Sequence, residues 1–212
     1  MMSLYNRFFR AWTPIGDLAA LADFIDENAA FLVQKGIYEF SRARAGHYAK
    51  VLFRESTFQA AVERSRWQAY PLGLAMIGEL VEGIFSQHAD YNRLGMQAAL
   101  ADLVVSVFDR YATPSALGAP AWTAARRDLQ RRLKLIAMHP RKLAKDIQEP
   151  FARSYFDCMP IHEKLRASDF PTITNYLKAT LCNIHEELST RLDTGAVLAQ
   201  LRSSAAAAPT QQ

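Results

Sequence analysis

Residues 71–87 read Pro71-Leu72-Gly73-Leu74-Ala75-Met76-Ile77-Gly78-Glu79-Leu80-Val81-Glu82-Gly83-Ile84-Phe85-Ser86-Gln87. Drawn as an α-helix, this stretch is apolar on nearly every side. Such a helix has no face to offer water and belongs in the middle of a bundle. Proline is favoured at the first helical position, where its missing N–H is not needed, so the helix is predicted to open at Pro71. Gly73, Gly78 and Gly83 let neighbouring helices approach closely. Glu79 and Glu82 are out of place on such a helix. Buried carboxylates are paired with a cation, or carry raised pKa values suited to acid–base work. Arg64, Arg66 and His47 are candidate partners. In the alternative, Glu79, Glu82 and His47 are the acid–base groups of a pocket inside the bundle.

The rest of the chain supports the same class. Residues 17–53 carry a helical stripe of Val33, Ile37, Phe40, Arg44, Tyr48 and Val51, with a bend predicted near Asp26-Glu27-Asn28. His47 lies near that stripe, where a lone histidine reads as a satisfied core residue. Ser56 is a candidate cap for a helix over 57–69, and a further helix is predicted over 91–111. Residues 113–120 form the clearest loop. The next helix, over 121–137, has a seam of Trp122, Ala125, Leu129, Leu133 and Ile136. Pro140 and Pro160 are each placed to open a helix. Ser168-Asp169-Phe170-Pro171 signals the start of a long one ending near Leu192, with a last helix over 194–202. Only 9 glycines and 9 prolines among 212 residues argue against an all-β chain. The expectation is an all-α fold: an irregular bundle of about eight helices, a single domain over 1–202 with one core, and a disordered tail over 203–212.

The formal charge is +4, mildly basic, and much of it is concentrated. Arg126, Arg127, Arg131, Arg132, Lys134, Arg141, Lys142 and Lys145 fall within twenty positions. Arg127, Arg131 and Lys134 share a helix face opposite the apolar seam. His139-Pro140-Arg141-Lys142 would add cations at a helix N-terminus, unfavourable until an anion binds there. The functional reading is a face for an acidic protein surface or another polyanion. The alternative is a solvated face whose arginine stems cover apolar surface.

Cys158, His162, Cys182 and His185 could in principle make a tetrahedral zinc site. Cys182 and His185 are three apart on one predicted helix, but Pro160 separates Cys158 from His162. The other reading is small buried cysteines with partnered histidines. No cofactor is expected, with zinc as the alternative. Residues 3–12 (Leu4, Tyr5, Phe8, Phe9 and Trp12 with Arg7 and Arg10) form a short amphipathic segment that docks on the core or lies on a membrane surface. The sequence shows no signal peptide and no spanning run, which points to the cytoplasm. Nucleophile-elbow, dinucleotide-binding and P-loop motifs are absent, as is a zinc-protease His-Glu-x-x-His. The leading expectation is a non-enzymatic helical interaction protein, an adaptor or regulator that binds through the basic face. The alternative is a small-molecule enzyme or binding protein with a pocket in the bundle.

Overall fold

The computed structural model describes residues 13–207. Within them the protein is all α-helical, as the sequence predicts. Helix α1 spans Leu18–Ala45 and starts at Asp17, whose carboxylate accepts a hydrogen bond from the Ala20 N–H at 2.7 Å. The predicted bend at 26–28 is absent. Asn28 is buried, and its amide donates to the Phe24 carbonyl at 2.9 Å, so its polar group is satisfied within the helix. The helix ends instead at Gly46, whose φ of +51° suits glycine. A 3-10 turn over Gly46–Tyr48 and a short α2 over Ala49–Leu52 follow.

Helix α3 spans Ser56–Phe85 as one element, with Pro71 inside it. The sequence predicts two helices here, and packing explains the difference. Pro71 costs the bond to the carbonyl four residues back, about 3 kcal/mol. Residues 69–82 are buried without interruption. Each large apolar side chain among them contributes about 1.5–3 kcal/mol on burial, enough together to carry the helix through the missing bond. Ser56 is the first helical residue, not the cap.

Helix α4 spans Arg93–Phe108, and α5 spans Ala119–Ile136. The helix predicted to open at Pro140 does not form. Residues 140–143 are irregular, a 3-10 turn occupies Ala144–Asp146, and α6 covers only Ala152–Asp157. A helix from Pro140 would put Arg141 and Lys142 in its first turn, against the helix dipole. Lys142 is drawn onto Glu79 instead. The remaining helices are α7 (Glu163–Arg166), α8 (Phe170–Arg191) and α9 (Thr194–Ala207). The last runs past residue 202, so Ser203–Ala207 are helical where a tail was expected.

Helix α3 lies at the centre, against α1, α4, α5 and α8, while α9 closes on α4. Gly73 marks the α1–α3 crossing: a Cβ there would sit 2.9 Å from Val33 Cγ2 and 3.0 Å from the Ala29 carbonyl oxygen. The buried apolar side chains form one cluster fed by α1, α3, α4, α5, α6, α8 and α9. A short backbone bridge ties the two ends of the described chain together. Ile15 N–H donates to Arg191 O at 2.8 Å, and Asp193 N–H donates to Ile15 O at 2.9 Å. No described helix is long and apolar enough to cross a membrane. The amphipathic segment predicted over 3–12 lies outside the described residues.

Candidate functional site

The apolar seam of α5 faces inward, with Trp122, Leu129, Leu133 and Ile136 buried. Its charged face points outward, and the cations on it divide into two groups. Arg126 makes a bidentate pair with Asp109, both contacts at 2.7 Å. Its hydrogen bonds hold the Asp109 carboxyl below the usual carboxylate range. Asp128 takes both Arg131 and Arg132, the latter at 2.6 Å. Arg127, Lys134, Arg141 and Lys145 are exposed, and no carboxylate pairs with them among the described residues. The predicted basic face is therefore paired at Arg126, Arg131, Arg132 and Lys142, and without a carboxylate partner among the described residues at Arg127, Lys134, Arg141 and Lys145.

Beneath this face lies the buried carboxylate pair. Glu82 is 1% exposed, and its Oε1 accepts from Arg93 Nε at 2.7 Å. Arg93 also donates through Nη2 to the Ile136 carbonyl at 2.8 Å, which caps the end of α5. Gln97, one turn along α4, donates to the Leu133 carbonyl at 2.7 Å. Glu79 is 4% exposed, with Lys142 Nζ 2.9 Å and His139 Nε2 3.6 Å from its Oε1. These are ion-pair contacts, and neither has hydrogen-bond geometry. Burial pushes the Glu82 carboxyl above its ordinary range; Arg93 opposes the rise and Glu79 adds to it. Tyr91 is buried close by, its hydroxyl raised by burial and by the Glu82 charge. Two carboxylates face Arg93 and Lys142, so the cluster is charge-balanced without a further ion.

The sequence singled out Glu79 and Glu82 but not their partners. Arg64, Arg66 and His47 do not pair with them; Arg93, Lys142 and His139 do. Arg93 sits eleven residues from Glu82, beyond the turn that ends α3, so no helical spacing points to it. Lys142 comes from the segment read as a helix. His47 is exposed on the 3-10 turn, away from the core and from both carboxylates. It borders a shallow surface depression with Glu39, Arg42, Ala43, Gly46, Ala49 and Lys50. A second depression is lined by His139, Pro140, Arg141, Lys142, Leu143, Asp146 and Glu149, on the outer side of the segment that holds Glu79.

The cysteine and histidine candidates lie on separate elements. Cys158 follows α6, donates through Sγ to the Ser154 carbonyl at 3.2 Å, and is pushed up to about 11 by burial. His162 caps α7, its Nδ1 accepting from the Lys164 N–H at 3.3 Å. Cys182 and His185 are half-buried on α8. Among the described residues no three His, Cys, Asp or Glu side chains gather closely enough to hold a metal ion. Comparison of the chain with protein-family models, with curated proteins and with solved structures gives no significant match.

Proposed function

We propose that this protein is a non-enzymatic interaction protein, an adaptor or regulator in the cytoplasm, that binds an acidic partner through the outer face of α5 and the segment after it. One observation carries the reading. Arg127, Lys134, Arg141 and Lys145 are exposed and unpaired, while the chain between Leu133 and Lys142 is held by Arg93, Gln97 and the Glu79–Lys142 pair. Unpaired cations on a fixed support attract an acidic surface and lose little freedom when it docks. The carboxylates that a pocket enzyme would use are occupied by partners from their own chain.

Binding of fluorescent polyglutamate, measured by anisotropy against salt, tests this reading. The expected result is binding that weakens steeply as salt rises and is lost in R127E/K134E/R141E. D109N/R126Q should leave it nearly unchanged, because it removes a pair whose charges already cancel. Binding that ignores salt, or that the triple variant retains, would overturn the proposal.

A further inference from the structure

The same edge carries exposed apolar side chains. Leu135 is 48% exposed, Met138 80% and Leu143 55%. Leu135 lies on the last turn of α5 beside Lys134, and Met138 lies in the turn that follows, its N–H donating to the Leu135 carbonyl at 3.0 Å. Leu143 opens into the depression shared with Arg141, Asp146 and Glu149. Apolar side chains rimmed by polar ones mark interaction surfaces, whereas isolated ones need no explanation. Here three of them lie within nine residues of chain, with Arg141 among them and Lys134 and Lys145 on either side.

Taking the acidic-partner reading as given, we infer that this edge receives an acidic amphipathic helix of another protein, its apolar stripe on Leu135, Met138 and Leu143 and its carboxylates on the surrounding cations. Four considerations select that occupant. A bare polyanion has no use for a methionine and two leucines held in water. An anionic bilayer is flat and does not follow the depression that Leu143 and Arg141 line. A second copy of this chain would bring like charges together. A helix matches the mixture, because i, i+3 and i+4 positions form an apolar stripe flanked by charge. Met138 suits such a surface, since its unbranched side chain adapts to an irregular partner.

Two synthetic peptides of identical composition test the inference. In one, leucines form a helical stripe and glutamates fill the other face; in the other, the same residues are scattered. Their binding is measured by anisotropy beside polyglutamate and phosphatidylserine vesicles. The striped peptide should bind about tenfold tighter than the scattered one, a difference of about 1.4 kcal/mol. L135S/M138S should remove that preference and leave the weak, salt-sensitive binding of polyglutamate. Both positions are exposed, so the variant should keep its thermal transition. Equal binding of the two peptides overturns the inference and leaves the acidic-partner reading standing. Tighter binding to vesicles, lost in the same variant, overturns it in favour of a lipid surface. Failure of every anionic probe overturns both.

Discussion

Arg93 performs two tasks at one end of the bundle. It neutralises Glu82 and caps the carbonyl of Ile136. Removing it leaves a buried carboxylate with no close cation, the situation in which breaking an ion pair is most costly. R93A should lose about 3 kcal/mol of stability at neutral pH in urea denaturation. The pH dependence follows from the direction of the Glu82 shift. Its folded pKa is already raised above the unfolded value of 4.5, and losing Arg93 raises it further. A carboxyl of this kind takes up its proton more readily in the native state. The Glu82 contribution to stability is fullest below pH 4.5 and is lost as pH rises through the folded pKa. The R93A deficit should therefore shrink toward acid pH, and E82Q/R93A should recover most of it at neutral pH. A deficit that stays flat with pH would assign the loss to the packing of the arginine stem. The sequence shows half of this arrangement. Two carboxylates on an all-apolar helix must have partners, and that much follows from the cost of burying charge. Which cations supply them depends on how α4 and the 139–143 segment fold back over α3, and no spacing along the chain encodes that.

At the scale of elements, the helix starts that held rest on local chemistry, whereas two of the readings that failed rest on a local preference of proline. Asp17, and the Asp169-Phe170-Pro171 start of α8, act within a turn of where they sit, so their signals survive any tertiary arrangement. Pro71 and Pro140 each favour a helix start locally, and tertiary forces overrule both: burial carries α3 through Pro71, and the Glu79–Lys142 pair draws the chain after Pro140 out of helical shape. The start of α9 belongs to the local kind. Asp193 Oδ1 accepts from the Ala196 N–H at 3.0 Å, and its backbone joins the bridge to Ile15. D193A keeps the backbone bridge and removes the cap, so it should cost about 1 kcal/mol. Hydrogen exchange should show the loss first as reduced protection in the opening turn of α9. Uniform loss of protection across the bundle would mean that the carboxylate supports more than its own helix.

For the molecule as a whole, the buried polar cluster and the exposed edge are one construction. Four side chains beneath the surface (Arg93, Gln97, Glu79 and Lys142) fix the stretch of chain that presents Met138, Arg141 and Leu143 above it. On the proposed reading the pair serves order more than stability, since a buried ion pair exchanged for apolar residues is often neutral in stability. The consequence is testable with E79Q/K142M, which removes the clamp without leaving a buried charge. Its global stability should change by no more than about 1–2 kcal/mol. Its local behaviour should change more, with faster amide exchange over residues 139–146. Binding of the striped acidic peptide should then weaken, because the segment must be ordered as the partner docks. Each side chain newly immobilised on binding costs about 0.5–1.5 kcal/mol, so two or three of them amount to roughly tenfold or more in affinity. The loss should appear mainly in the dissociation rate, as most changes within one interface do. An unchanged affinity in a variant whose 139–146 amides exchange freely would separate the clamp from the surface, leaving the carboxylates of α3 to be explained by stability alone.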